Sequence, residues 1–437
     1  MSSRMRRLTR KVAALAVMGL AISALPAQAT TLRSETGVTN HEIKIGITIP
    51  MSGIAAPGYN KIAPAAQAYL DYVNAHGGVY GRKITLVVAD DRYSPTMAVS
   101  QTNKLILQNK VFALAGALGT ANHLAVLNSV RLGARGIPDL FVNTGYSGFD
   151  NPAKYPTTFT YLPSYIMEAK IIGSYLAKNY AGKKIGLIYQ DDDFGRNAKT
   201  GFKTAGTNFV VTKGYASGSQ SSPGLAAQVG AMQAAGADVV VMFGVTSATA
   251  VALITAGKMG YKPTKWIIGS VGGDSTTLKA LGVPAAILAG ATGASFLPSP
   301  TDTSDPYISF FKRINDTYNK GRDTTWDNNA LVGMNMAMIL VQALRAAGKH
   351  PTRKAVVRAL IKKGKTFAQA GLVPLGYSKK SHAGYTGYWF GTYDMSGDLQ
   401  PDGGKYTPYV TDSGSGPVTT SNYKRPALPA NGLPTNK

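Results

Sequence analysis

One pattern constrains this chain more than any other: an apolar alternation that stops in small, hydroxyl-bearing residues and is followed by a helical stretch. Ile43, Ile45, Ile47 and Ile49 alternate through Glu42 to Ile49, which runs into Pro50-Met51-Ser52-Gly53. Val111 to Ala115 likewise ends in Gly116-Ala117-Leu118-Gly119-Thr120. A period of two marks a strand, and the stretch after each has the spacing of a helix. Strands that alternate with helices build a parallel sheet. Such sheets bind ligands beyond the carboxyl ends of their strands.

The pattern repeats. Strands are expected at Lys83 to Ala89 and Leu140 to Asn143, with helices opening near Ala63, at Ser94-Pro95-Thr96 and after Thr120. A Pro-rich break from Asp150 to Tyr165 reads as a crossing. The alternation then resumes. Helices are expected over Tyr165 to Asn179, Phe194 to Thr207, Gly224 to Ala235 and Ser247 to Met259. Strands are expected over Lys184 to Tyr189, Val210 to Ala216, Asp238 to Phe243, Lys265 to Gly269 and Ile287 to Thr292. Phe296 to Asp305 reads as a second crossing, followed by helices at Pro306 to Asn319, Asn328 to Ala347 and Thr352 to Lys363. Gly384 to Tyr393 reads as extended. With 437 residues, this is too much chain for one ordinary domain and suits two α/β lobes. Residues 411–437 have almost nothing to bury and read as a disordered tail.

The first 29 residues have the layout of a cleaved export signal: a cationic start (Arg4, Arg6, Arg7, Arg10, Lys11), the apolar run Val12 to Ala24, and Ala27-Gln28-Ala29. No later stretch reads as a membrane helix. The absence of Cys excludes disulfides, thiolate metal sites, a cysteine nucleophile and a lipid-bearing N-terminal Cys. A periplasmic or extracellular protein that is not a lipoprotein follows. Of the net charge of +24, the five cations of the leader account for +5, leaving +19. The basic residues are scattered and form no nucleic-acid module, so nucleic acid is not expected as a partner. A positive field attracts anions, and a shortage of carboxylates would also suit an acidic medium.

No nucleophile elbow or phosphate loop occurs. None of the five His stands at metal-ligand spacing, and each reads as a surface or cap residue. Asp191-Asp192-Asp193 reads as helix N-terminal charge rather than a cation site. The expectation is a binding protein, not an enzyme, with no catalytic residue, metal or cofactor. The polar and aromatic residues at strand ends are the candidates to contact a ligand: Ser52, Tyr59, Gly119, Thr120, Asn143, Thr144 and Tyr146 in the first half, and Phe194, Thr246, Val271 and Asp274 in the second. Helix N-termini suit a carboxylate, and the rings suit an apolar or aromatic body.

Several stretches together resemble the type I periplasmic solute-binding proteins of branched-chain amino-acid ABC transporters. They are Ile47 to Gly53, Asn74-Ala75-His76-Gly77-Gly78-Val79-Tyr80-Gly81-Arg82, Asp90 to Pro95, Leu118-Gly119-Thr120 and Tyr189 to Gly195. The resemblance covers Glu42 to Asp402. It implies two doubly wound α/β lobes joined by three hinge crossings: residues 42–159 plus 297–372 in lobe 1, and 160–296 plus 373–410 in lobe 2. It also implies a monomer that closes on a small ligand and delivers it to a membrane permease. Carried over, the carboxylate site falls on Gly119-Thr120, with Thr120 as anchor, and on Asn143 to Gly145. The ring falls on Phe194. No acid stands at the place that would hold an α-ammonium, after Gly269, and Asp274 reaches it only with a loop shift. Phe159-Thr160-Tyr161 with Glu168 resembles a divergent branch assigned to carboxylic acids, which adds Tyr161 to the candidates. An organic acid, aromatic acids included, is therefore the expected ligand. An amino-acid ligand, or a sensor ectodomain of the same fold, is the alternative.

Overall fold

The computed structural model describes residues 35–435, apart from Ser222. The expected export signal, residues 1–29, lies outside the described residues.

The first lobe opens with strand β1 (Glu42–Ile49), helix α1 (Ile62–Ala75), β2 (Lys83–Asp90), α2 (Pro95–Leu107), β3 (Ala113–Ala115), α3 (Thr120–Val130), β4 (Asp139–Val142) and β5 (Thr158–Thr160). These strands form a five-stranded parallel sheet in the order β2-β1-β3-β4-β5. Its central strand is buried on both faces: Ile43, Ile45, Ile47 and Ile49 on one face have no exposed surface, and Gly46 and Thr48 on the other are buried too, as expected of a parallel sheet covered by helices on both sides. The helix starts carry their signals. Ser94 accepts the Met97 N–H, and Pro95 occupies the first turn of α2.

The second lobe begins with α4 (Tyr165–Asn179), capped by Ser164. It continues through β6 (Ile185–Gln190), α5 (Asp193–Thr204), β7 (Val211–Tyr215), α6 (Ala226–Ala234), β8 (Val239–Phe243), α7 (Thr246–Lys258), β9 (Lys265–Ile268), α8 (Ser275–Ala280), α9 (Ala285–Leu288) and β10 (Thr292–Ser295). The chain then returns to the first lobe as α10 (Pro306–Tyr318), α11 (Asn328–Ala346) and α12 (Arg353–Lys363), with α10 and α11 packed against α1. It crosses a third time and ends in β11 (Gly387–Tyr393), β12 (Leu399–Pro401), β13 (Tyr409–Val410) and β14 (Thr419–Thr420). The second sheet runs β14-β13-β11-β10-β9-β8-β6-β7, with β12 beside β11. It is parallel from β7 to β10 and antiparallel beyond.

Several expectations are corrected. The strand expected at Ile287 to Thr292 is the short helix α9 followed by β10 from Thr292, because Pro284 sets a helix start ahead of an apolar run too short to distinguish the two. Helix α11 is long and apolar enough to cross a membrane, yet 89% of that stretch is buried inside the protein, which makes it a core helix. His123 and His382 are core rather than surface residues. His123 Nε2 lies 2.7 Å from Asp139 Oδ2, and the His382 ring stacks on Phe159 at 3.9 Å.

The tail expected to be disordered is ordered as far as residue 435. The hydroxyls of Tyr69 and Tyr72 donate to the carbonyls of Gly432 and Asn431, at 2.8 and 2.6 Å. Arg425 pairs with Asp305. The segment buries little of its own, but its carbonyls satisfy core tyrosines that would otherwise be left unpaired.

Candidate functional site

Both sheets direct the carboxyl ends of their parallel strands at one cleft. On the lobe 1 side, β3 is followed by the turn Gly116 to Gly119, and α3 begins at Thr120. Gly119 holds φ at 104°, and a Cβ there would stand 2.9 Å from the Tyr93 ring and 3.2 Å from the Asn122 side chain. Only glycine brings the chain past that ring. The first turn of α3 presents the amides of Thr120, Ala121 and Asn122, which have no partner within the helix. Tyr93 is set by its own loop. Asp90 Oδ1 accepts the Arg92 N–H and Asp91 Oδ1 the Tyr93 N–H, both at 2.9 Å, which holds these residues at φ values of 50° and 60°.

The lobe 2 wall is aromatic and acidic. Asp192 Oδ1 accepts the Phe194 N–H at 2.9 Å and so starts α5 with that ring in the cleft. The run Asp191 to Asp193 therefore acts through helix capping. The Phe194 ring lies 4.4 Å from Tyr165 and 5.1 Å from Phe243. Beyond β9 the chain turns through Ser270, Val271 and Asp274. Glu168 braces this turn from behind: its carboxylate accepts the Ser270 N–H at 2.6 Å and the Ser270 hydroxyl at 3.1 Å. Burial pushes the Glu168 carboxyl up to about 7, against the lowering effect of the Ser270 bonds. Asp274 caps α8 through Thr277 N–H (2.7 Å) and accepts the Asn328 N–H of the opposite lobe at 3.0 Å.

The cavity between the walls is narrow, about 50 Å³, and is lined by Tyr59, Tyr93, Gly119, Asn143, Phe194 and Asp274 among others. On this measure one water needs ~10–15 Å³, so the space suits a small ligand and not a long chain. Asn329, also in the lining, is buried with its Nδ2 donor unpartnered. Leaving such a donor unpaired costs about 1–3 kcal/mol, which an acceptor on a ligand would recover. Beside Asp274 lies Asp327, paired with Lys61 at 2.8 Å. Burial, and then the charge of Asp274, raise the Asp327 carboxyl.

The two walls touch across the cleft. The Tyr59 hydroxyl donates to the Val271 carbonyl at 2.8 Å and accepts the Thr246 N–H at 3.3 Å. Burial pushes that phenol up to about 12, against its hydrogen bonds to Thr246, so it remains a donor. Gln190 Nε2 reaches the Tyr93 hydroxyl at 3.4 Å, and the Ser147 and Asn197 side chains meet at 2.9 Å.

Of the residues expected from sequence, Tyr59, Gly119, Asn143, Phe194, Val271 and Asp274 line the cavity. The others stand behind or beside it. The Thr120 hydroxyl turns inward to the Thr144 hydroxyl at 2.6 Å, and Thr144 in turn reaches the Tyr165 hydroxyl at 3.2 Å. The Thr120 hydroxyl, expected as the carboxylate anchor, is thus engaged by Thr144, and it is Gly119 just before it that lines the cavity. Thr246 supports Tyr59 and Val271 from behind. Tyr161 is wholly buried, its hydroxyl taken by Asn335 at 2.6 Å. Ser52 is bound to Asp90 Oδ2 at 2.5 Å on the exposed rim, and Tyr146 packs edge-on against Phe149.

Sequence reasoning missed Tyr93, Tyr165, Phe296 and the start of α11. Tyr93 was detectable, because it follows a strand in the same way as Tyr59 follows β1. Asn328 and Asn329 were not, because they come from a helix far along the chain that no strand end marks.

Comparisons with known proteins agree with this geometry. A family described as "Periplasmic binding protein" matches residues 42–399. The Leu/Ile/Val-binding protein homolog 7 of Brucella suis is 26% identical over 384 residues, covering 84% of this chain and 89% of that protein. A branched-chain amino acid ABC transporter protein from Thermus thermophilus, solved with bound valine, has a TM-score of 0.74 at 20% identity and covers 86% of this chain and 98% of its own. A solute-binding protein from R. palustris, in complex with 4-hydroxybenzoate, has a TM-score of 0.70 at 17% identity over the same shares. At these identities the two solved structures establish the fold. The chain belongs to the periplasmic binding proteins, as a type I member of the Leu/Ile/Val-binding kind, and is a binding protein rather than an enzyme.

Proposed function

We propose that this protein captures a small α-amino acid with an apolar side chain between its lobes and delivers it to the permease of an ABC transporter. The observation that carries this reading is Asp274, a buried carboxylate in the cavity wall. With Asp327 and Lys61 beside it, that end of the site carries two carboxylates against one ammonium, a balance one further ammonium completes. The carboxylate of a zwitterion would lie beside Gly119, where the free amides at the start of α3 suit an anion. The rings of Phe194, Tyr93 and Tyr59 would enclose the side chain. This reverses the order expected from sequence, where the missing acid after Gly269 favoured an organic acid. In the folded chain the turn at Ser270 brings Asp274 to the cavity. Export, with cleavage after Ala29 and release into the periplasm or exterior, completes the proposal.

A second reading keeps the organic acid. Both Asp274 oxygens already accept amide hydrogens, from Thr277 and Asn328, so its charge is partly spent. The relative of known structure that holds 4-hydroxybenzoate shows that this fold admits such a ligand. Calorimetric titration separates the two. L-Valine and L-phenylalanine are expected to bind at least ~10-fold more tightly than their deaminated acids, since a charge-assisted hydrogen bond is worth about 1.5–3 kcal/mol. Asp274→Asn should abolish that preference. Tighter binding of the deaminated acids would sink the amino-acid reading.

A further inference from the structure

A groove lies at the opposite end of the first sheet from the cleft, where β4 and β5 begin. It is bounded by α12, the loop carrying Gly133 and Gly136, and Pro156 with Thr157, and it encloses about 560 Å³. Its floor includes Val357 and Ile361, half-buried apolar residues packed on the core. Its rim is cationic: Lys354, Arg358 and Lys362 come from α12, and Lys379 comes from the segment beyond it. None of these four forms an ion pair among the described residues. Arg353 is already committed, donating to the carbonyls of Val111 and Phe112, with the Glu35 carboxylate acting on it. Helix α12 itself, Arg353 to Lys363, carries five cations and no acid.

We infer that this groove docks the protein on an anionic phospholipid surface, with one acyl chain in the groove and the phosphate held by the cationic rim. A basic amphipathic helix with an apolar face suits a membrane interface. The volume separates this occupant from a protein partner, because a helix about 10–12 Å across fills such a space in little more than one turn, whereas an apolar floor under a cationic rim matches the acyl chain and phosphate of one phospholipid. The charge complementarity does not depend on the ligand bound in the cleft, so this docking stands apart from the transport proposal. It also gives part of the +19 outside the leader a specific use.

Co-sedimentation of the full chain with unilamellar vesicles tests the inference. Binding is expected to vesicles containing phosphatidylglycerol, to weaken with salt, and to be absent with phosphatidylcholine alone. Each basic residue near an anionic surface contributes about fivefold, so Lys354→Glu, Arg358→Glu and Lys362→Glu together should cut binding at least ~100-fold. The same charge change made at Lys183, Lys203 and Lys213, exposed cations of the other lobe, should alter it by no more than ~3-fold, since screening confines the effect to about 8 Å. Val357→Ser with Ile361→Ser should reduce binding ~10-fold, because it withdraws apolar surface from the acyl chain. Thermal melts check that each variant is folded. Equal losses in both charge-reversed variants would reduce the effect to net charge and overturn the inference, as would full binding by the serine variant. Retention on poly-glutamate without vesicle binding would assign the surface to an acidic chain and overturn it too.

Discussion

The two walls of the cleft are built in different ways. The lobe 1 wall is anchored on tight backbone: a glycine turn at Gly119 and a Tyr93 loop locked by Asp90 and Asp91, with Tyr59 and Asn143 beside them. Its turn and loop geometry follows from strand ends, and only the start of α11 comes to it from far along the chain. The lobe 2 wall is side chain: Phe194 placed by a cap, and the turn from Ser270 to Asp274 braced by a carboxylate from another helix. The first wall tolerates little change, because its parts touch directly. The second is adjustable, because one buried group sets its position. A protein that must recognise a constant carboxylate and a variable remainder has reason to divide the work this way.

The largest effect is expected where the rigid wall is broken. Gly119→Val forces a Cβ against Tyr93 at a φ of 104°. Strain and overpacking together should cost about 4 kcal/mol, seen as a fall in melting temperature and loss of calorimetric binding. Near-normal binding by this variant would mean that lobe 1 is not the constant wall.

The brace on the other wall should show itself through pH. Burial lifts the Glu168 carboxyl from 4.5 to about 7. Between those values the folded chain keeps a proton that the unfolded chain releases. This group's contribution to stability therefore falls as pH rises from about 4.5 to about 7 and is constant above, by an amount of order 3 kcal/mol. Asp150 and Asp91, lifted by burial to about 7 and about 6, act in the same direction. His382, lowered by burial, acts in the opposite direction as pH falls through its ordinary 6.5. Denaturant melts of the parent chain and Glu168→Gln across this range isolate Glu168 by difference, with a flatter profile expected for the variant. Identical profiles would show that Glu168 does not carry the proton.

The same contrast explains how much was legible in the sequence. The strands of the first sheet, the caps at Ser94 and Ser164, and the cavity positions Tyr59, Gly119 and Phe194 follow from local rules: period, capping chemistry, and a ring or glycine after a strand. Asp274 could be named but not placed, because its position depends on the Glu168–Ser270 bond, between residues 102 apart in the chain. Asn329 gave no local signal at all. The direction of the Thr120 hydroxyl was not legible, because at a helix start it can face a ligand or a buried neighbour, and here it meets Thr144. The tail looked unable to order itself from composition, which does not reveal that Tyr69 and Tyr72 need its carbonyls.

Smaller effects should come from the bonds that join the walls. The Tyr59 hydroxyl spans the cleft to Val271 and Thr246. Tyr59→Phe keeps the ring and removes the bridge, leaving the Thr246 amide without its partner and the Val271 carbonyl with the Thr246 hydroxyl alone. The closed form should lose about 1–2 kcal/mol relative to the open one. Small-angle scattering without ligand should then show a larger radius of gyration, with the parent value restored at saturating ligand. At the rim, Asn197→Ala removes both bonds to Ser147, one to its amide at 3.1 Å and one to its hydroxyl at 2.9 Å. Water can replace these half-buried bonds, so only about 0.5–1 kcal/mol should be lost, seen as a two- to fivefold rise in ligand dissociation rate. The order of the two variants is the informative result. If Asn197→Ala opens the protein more than Tyr59→Phe, closure is governed at the rim. The adjustable wall would then be held from outside the cavity, and the Tyr59 bridge would follow closure instead of stabilising it.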